Sequence, residues 1–140
     1  MVEPVTFTLL GQPCGKGRAR AYRRGNFIAH YTPEKTRSYE SMIRGAASEA
    51  MRGRTPIDVP VEMTMVAVFG VPASWSKKKQ AAALTGEIRP GSKPDVSNIA
   101  KAVEDAINGV VLRDDSLIVD SHTSKRYGPQ PMVAVTVRAA

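Results

Sequence analysis

Six carboxylates lie between residues 95 and 120 of a chain that is otherwise strongly basic. This window contains only two bases, so its formal charge is −4, whereas the whole chain of 140 residues carries +7. Clustered carboxylates can hold a divalent cation that activates water during phosphodiester hydrolysis, and nearby lysines and arginines can hold the polyanionic substrate. The pattern therefore predicts a small metal-assisted nuclease. The six acids are Asp95, Glu104, Asp105, Asp114, Asp115 and Asp120.

A basic arm (residues 16–24) precedes this acidic window. Residues 1–55 carry ten bases and four acids, and half of these bases fall within the arm. Such a concentration is typical of a phosphate-binding segment, although a solvated basic loop has the same composition. Interleaved glycines favour a loop that becomes ordered on contact with its partner. The predicted phosphate contacts are Lys16, Arg18, Arg20, Arg23, Arg24, Arg37, Lys77, Lys78 and Lys79.

Composition limits the remaining possibilities. A single cysteine, Cys14, excludes an intrachain disulfide, and with only His30 and His122 beside it a structural zinc site is disfavoured. Any metal should be a hard, oxygen-ligated ion such as Mg²⁺ or Mn²⁺. No apolar run approaches the roughly 18 residues that a membrane span needs, and no secretory leader is recognisable. We expect one cytoplasmic domain covering residues 1–140, without membrane contact.

The acidic residues must be positioned by secondary structure, and the sequence predicts an alternation of strands and helices. Thr32 and Ser76 are expected to cap the first two helices. Residues 53–60 are predicted to form a turn-rich connection, and residues 85–94 an irregular segment. A hairpin-like turn is predicted at Gly128–Pro131. Predicted strands are Val5–Leu10, Phe27–Tyr31, Val61–Val71, Leu117–Lys125 and Met132–Val137. Predicted helices run over Pro33–Met51, from Ser76 to Leu84, and over Val96–Asn108.

The helix over Val96–Asn108 carries the residues of interest. Its apolar residues recur at spacings of three and four, which places Lys101 and Asp105 on the side away from the core. Asp95 precedes this helix and Asp114–Asp115 follow it, so the helix alone separates them by roughly 20 Å. They can approach one another only if the following strand runs back along the helix, which local pattern leaves open.

Each of these residues also has a purely structural interpretation. Asp95 or Ser97 could cap the helix. Lys101 and Asp105, four residues apart, could form a solvent-exposed ion pair of about 0.3 kcal/mol. Asp114–Asp115 could be ordinary turn residues.

The run from Lys93 to Ile118 resembles the signature of the RusA-type Holliday junction resolvases, dimeric endonucleases common in prophages. That signature has a Pro-Asp-x-Asp-Asn start, a lysine, a further aspartate, Asn-Gly and an Asp-Asp pair. The Lys16-Gly17-Arg18 turn and the Tyr31-Thr32-Pro33 segment are also similar to those of phage members. The matching positions are Pro94, Asp95, Asn98, Lys101, Asp105, Asn108, Gly109, Asp114 and Asp115.

The resemblance implies roles for these residues. Asp95 and Asp115 would be the catalytic metal ligands, with Asp114 as a further ligand. Lys101 would stabilise charge on the phosphate. Supporting positions would be Asn98, which assists the metal, and Asp105, which orients Lys101. Ser97 replaces the second aspartate of the signature, so one carboxylate is missing.

The resemblance also implies an α+β fold with a mixed β-sheet flanked by helices, and a homodimer. The dimer would nick four-way junctions symmetrically with Mg²⁺, or with Mn²⁺ in its place, leaving 5′-phosphates and 3′-hydroxyls. Ser97 supports an alternative, a branched-DNA-binding protein with little or no catalysis. A nucleotide phosphohydrolase is a third class, but it would not need the excess of +6 within residues 1–55. A phage or prophage origin is expected.

Overall fold

The elements of the protein follow one another as strand, hairpin, helix, and then a crossover between parallel strands. The computed structural model describes residues 2–16, 20–25, 27–31 and 34–140. Within them, a short 3₁₀ turn at Asp115–Leu117 precedes the fifth strand. The elements are β1 (Val5–Leu10), β2 (Arg20–Arg24), β3 (Phe27–Tyr31), α1 (Glu34–Met51), β4 (Val61–Gly70), α2 (Lys77–Leu84), α3 (Val96–Ile107), β5 (Ile118–Gly128) and β6 (Met132–Ala139).

The main sheet has four strands in the order β1-β6-β4-β5. β6 runs antiparallel to both β1 and β4, whereas β4 and β5 are parallel. Parallel neighbours need a long crossover, and here α2 and α3 supply it. This crossover places α3 next to β5, so the residues before and after α3 belong to one structural unit. The α+β class with a mixed sheet is therefore confirmed.

The core lies between one face of the sheet and the helices. Alternate residues of β4 are buried, as expected for a strand with one covered face. The helix α1 contacts both α3 and β1, and α3 contacts β5. The apolar face predicted for α3 is confirmed, because its buried residues are Ile99, Ala102, Val103, Ala106 and Ile107. None of the helices described is long and apolar enough to cross a membrane.

Most element predictions are confirmed, with small differences at the ends. The strand β4 ends at Gly70, α3 ends at Ile107, and β6 continues to Ala139. The fifth strand begins at Ile118 and extends to Gly128, because the 3₁₀ turn occupies the residues just before it. Ser76 caps α2 as predicted, since its side chain accepts a hydrogen bond from the Lys79 amide. Thr32 and Pro33 lie outside the described residues.

The loop prediction for the basic arm is wrong over residues 20–24. This segment is β2, and it pairs antiparallel with β3. Gly25, with φ of +60°, lies in the tight connection between the two strands. The interleaved glycines favour a loop, but pairing with β3 satisfies the backbone of β2, and local composition does not report that pairing. Residues 17–19 lie outside the described residues.

The hairpin prediction at Gly128–Pro131 is also wrong. The strands β5 and β6 do not pair with each other, because β4 lies between them. The short connection therefore crosses the end of β4, and it does so at close range. A Cβ atom on Gly128 would lie 2.6 Å from Val68 Cγ1, and one on Gly70 would lie 3.2 Å from Pro131 Cγ. Small residues at these two positions let the chain cross.

Candidate active site

Asp95 is the residue that precedes α3, but its carboxylate is not used to cap the helix. Its backbone is extended, with φ of −70° and ψ of 152°, and its side chain makes no capping hydrogen bond. Only its carbonyl group takes part, by accepting a hydrogen bond from the Ile99 amide at 3.0 Å. The exposed carboxylate therefore remains available at the start of α3.

Two segments hold this start of α3 in place. The first is the strap (residues 11–16), whose Lys16 amide donates to the Asn98 carbonyl at 2.9 Å. Gly15 packs so closely that an added Cβ would lie 2.8 Å from Pro94 Cβ. The second is β5, from which Lys125 Nζ donates to the carbonyls of Ser92 at 2.7 Å and Pro94 at 3.0 Å. The position of Asp95 is thus fixed from both sides.

A charged cluster lies along α3 beside the strap. Lys16 Nζ is 2.6 Å from Glu40 Oε1 on α1 and 3.1 Å from Asp105 Oδ2 on α3. Lys101 Nζ is 3.1 Å from the other oxygen of Asp105. Burial acts to raise the pKa of Asp105, but hydrogen bonds from Lys16 and Lys101 outweigh it and lower that pKa. Asp105 is therefore a shared anion between two lysines.

The return of the chain after α3 brings Asp115 alongside the helix. Gly109, with φ of +81°, allows the sharp turn that ends α3. The Asp115–Leu117 turn then contacts α3, and Asp115 interacts electrostatically with both Lys101 and Glu104. The hydrogen bond from Lys101 to Asp105 raises the pKa of Lys101, and the charges of Asp115 and Glu104 raise it further. Asp115 thus lies within electrostatic range of Lys101 and Glu104 on α3, and its approach to Asp95 stays a prediction.

Asp114 has a different role from Asp115. Its carboxylate accepts hydrogen bonds from the amide and the hydroxyl of Ser116, and so caps the 3₁₀ turn. The hydroxyl hydrogen bond, followed by the amide bond, lowers the pKa of this fully exposed group. The turn interpretation therefore describes Asp114, whereas no such bond occupies Asp115 among the described residues.

Comparison with known proteins shows the family of the chain. The profile of the family described as Endodeoxyribonuclease RusA matches residues 11–138, nearly the whole chain. The chain belongs to the RusA endodeoxyribonuclease family. It is also similar to the uncharacterized protein YqaN of Bacillus subtilis (strain 168), with 37% identity over 139 residues, which cover 98% of this chain and 97% of that protein. Holliday junction resolvase activity is what membership of the RusA family implies.

Glu104 is a residue near the RusA site to which the sequence interpretation gave no role. It is half-buried, and burial raises the pKa of its carboxyl group. Lys101 opposes this rise, whereas the charges of Asp115 and Asp105 add to it. Its position three residues after Lys101 puts the two on one side of α3, so helical spacing was the signal that could have found it.

RusA-family nucleases generally depend on a divalent metal, and the donor set of this chain fits such an ion in part. The described residues contain no group of three or more His, Cys, Asp or Glu side chains arranged to hold a metal. Asp95 is exposed and Asp115 is half-exposed, and Ser97 adds no charge between them. Mg²⁺ usually binds through one or two carboxylates together with water and substrate phosphates. Asp95 and Asp115 are carboxylates of this kind, and the nucleic acid would have to supply further oxygens.

The predicted DNA contacts are distributed over several elements of this RusA-family chain. Lys77, Lys78 and Lys79 are exposed on the first turn of α2, where Lys79 Nζ lies 4.0 Å from the centre of the Trp75 ring. Arg37 forms an exposed ion pair with Glu34 on α1. Lys16 belongs to the charged cluster. Arg20, Arg23 and Arg24 lie in β2, and Arg18 is outside the described residues.

Proposed function

We propose that the protein is a divalent-metal-dependent endonuclease that resolves Holliday junctions and related branched DNA by paired symmetric nicks. The observation that carries this proposal is the RusA family match over residues 11–138. The geometry supports it, since the uncapped Asp95 begins α3 and Asp115 returns beside Lys101. Both are acids that the family signature assigns to catalysis.

The acidic residues and Lys101 would have different roles in cleavage. Asp95 and Asp115 would hold Mg²⁺, or Mn²⁺ in its place, together with phosphate oxygens of the DNA, whereas Asp114 is already engaged by Ser116. A bound ion would supply an activated water and stabilise charge, and cleavage would leave a 5′-phosphate and a 3′-hydroxyl as in the family. Lys101, whose side chain is 54% exposed, stabilises negative charge on the phosphate while Asp105 holds its ammonium group.

Two symmetric nicks in one junction need two sites related by a two-fold axis, so we propose a homodimer. The basic residues of β2, together with Arg37 and the α2 lysines, would contact phosphates on the arms of the junction.

A second function has one observation in its favour. Ser97 stands on the exposed first turn of α3 where the signature has an aspartate, so one charge of the expected metal site is missing. A protein with this deficit could bind branched DNA and cut it slowly or not at all. Cleavage measured beside binding separates the two functions.

The test is nicking of a labelled synthetic four-way junction in Mg²⁺ and in Mn²⁺. We expect Asp95→Asn and Asp115→Asn to lower the rate by about 100-fold or more, because each removes a charge that acts on the transition state. Ser97→Asp should raise the rate. Asp120→Asn is the matched control, since it removes an exposed acid of the same window on β5 and should cut like the wild type.

The outcomes distinguish the candidates. Symmetric nicks that are lost in both Asn variants support the resolvase. Tight junction binding without cleavage, even in Mn²⁺, would favour the non-catalytic binding protein. Free nucleotides that compete effectively with the junction would point instead to a nucleotide phosphohydrolase.

A further inference from the structure

Lys16 differs from the other bases that the sequence assigns to DNA binding. Its ammonium group lies between Glu40 and Asp105, and its own amide is bonded to the Asn98 carbonyl. It is thus tied to α1 by its side chain and to α3 by both its side chain and its backbone. By contrast, Lys77, Lys78 and Lys79 project from α2 as exposed side chains.

We propose that Lys16 is a positioning residue, which fixes Asp105 and through it Lys101, and that it is not a phosphate contact. This inference rests on the proposed function, because Lys101 matters only if the site acts on a phosphate. It adds to that function a second lysine that acts without touching the substrate.

Lys16 and Lys101 together fix the orientation of the Asp105 carboxylate. Its Oδ2 atom is 3.1 Å from Lys16 Nζ and its Oδ1 atom is 3.1 Å from Lys101 Nζ, so one lysine occupies each oxygen. Asp105 lies on a helix that is fixed by its buried apolar face, and its side chain is only 25% exposed. With Lys16 on one oxygen, the carboxylate is held in one orientation and presents the other oxygen to Lys101.

The surroundings of Lys16 disfavour contact with a phosphate. Two carboxylates already surround this ammonium group, and its side chain is only 27% exposed. These two pairs use two of the three N–H donors of the ammonium group, so a phosphate at the third would lie as a further anion beside the part-buried Glu40 and Asp105. Lys101 is 54% exposed and shares only Asp105, so it is the lysine of the pair that can face a substrate.

The test compares Lys16→Met and Lys16→Arg with the wild type in multiple-turnover nicking of a four-way junction. We expect Lys16→Met to lower kcat about tenfold or more while KM stays the same, because Lys101 is misplaced but the junction still binds. Lys16→Arg retains the charge and should recover most of the rate. If Lys16→Met does not fold, Lys16→Gln replaces it.

Two further readouts separate positioning from other roles. The slope of log affinity against log salt should be unchanged in Lys16→Met, whereas Lys78→Met should lower its magnitude by about one, as for a lost phosphate contact. In a double-mutant cycle, Lys16→Met should cause no further loss of kcat in a Lys101→Met background. A reduced salt slope in Lys16→Met, or losses of kcat that simply add, would overturn the proposal.

Failure of the proposed function would look different. A wild-type protein that makes no nick rejects the nuclease, and hydrogen exchange then decides the role of Lys16. Amides of residues 98–105 that exchange faster in Lys16→Met than in the wild type and Lys16→Arg would support the positioning role of Lys16. Unchanged exchange in all three proteins would overturn it.

Discussion

Aspartates that look equivalent in the sequence have distinct roles once their hydrogen bonds are known. Asp95 and Asp114 both precede a helical turn, yet only Asp114 bonds to its own turn, through Ser116. A carboxylate that caps its turn has lost part of its capacity to accept other ligands. The uncapped Asp95 keeps this capacity, which is why it is the stronger candidate for metal and phosphate chemistry.

Asp105 should make the stability of the protein depend on pH. Its pKa is lowered from 3.8 in the folded protein, so the stabilisation it provides is present above pH 3.8 and is lost as pH falls through the folded value. Asp105→Asn should therefore cost about 1 kcal/mol of unfolding free energy near neutral pH, and this cost should shrink as the pH falls below 3.8. Urea unfolding at several pH values measures this difference.

The matched control is Asp58→Asn, which breaks the exposed pair between Asp58 and Arg113. An exposed pair contributes little, so this variant should change the unfolding free energy by less than about 0.5 kcal/mol near neutral pH. A cost for Asp105→Asn that stays constant down to pH 2 would show that the two lysines do not stabilise its charge.

At the scale of elements, features set by local periodicity could be predicted and features set by distant pairing could not. The helix α3 was found because its buried residues follow helical spacing. The interleaved glycines predict a loop where β2 pairs with β3, and the residues Gly128–Pro131 predict a hairpin where β4 lies between the two strands. The position of Asp115 near α3 depends likewise on how the chain turns after Gly109 to enter β5, which local composition does not report.

The strap provides an element-scale prediction. Gly15→Ala should destabilise the protein by about 1–3 kcal/mol, because its Cβ would lie 2.8 Å from Pro94 Cβ and 3.0 Å from Asn98 Cβ. Displacement of the strap should also slow nicking, since the same contact fixes the start of α3. Thermal unfolding and junction nicking measure the two effects.

Gly45→Ala on α1 is the control for this change. No atom lies within 4 Å of the Cβ that it would add, and alanine is favoured over glycine inside a helix by about 0.5–1 kcal/mol. This variant should be as stable as the wild type or more so. If the Gly15→Ala protein is as stable as Gly45→Ala, the strap can move away from Pro94 without loss of unfolding free energy, and the prediction is wrong.

At the scale of the whole molecule, opposite charges are separated along the chain. Residues 1–55 carry a net charge of +6, while the window over residues 95–120 carries −4. Long-range attraction of a polyanion by the first region is compatible with a locally acidic site, because the acids can be neutralised by a cation that the DNA helps to hold. Cytoplasmic residence and a phage origin stay predictions.

Junction binding should weaken steeply with salt, since each phosphate contact releases counterions. With about six contacts, affinity should fall about 1,000-fold between about 50 and 200 mM salt. Changing Lys77, Lys78 and Lys79 to glutamine should lower the slope of log affinity against log salt by about three, which titrations at several salt concentrations would measure. Arg138→Gln is the control, because it removes an exposed base of β6, outside the predicted contacts, that pairs with Glu62. A triple variant that keeps the wild-type slope would place α2 away from the DNA, and the attraction would then belong to β2 and α1.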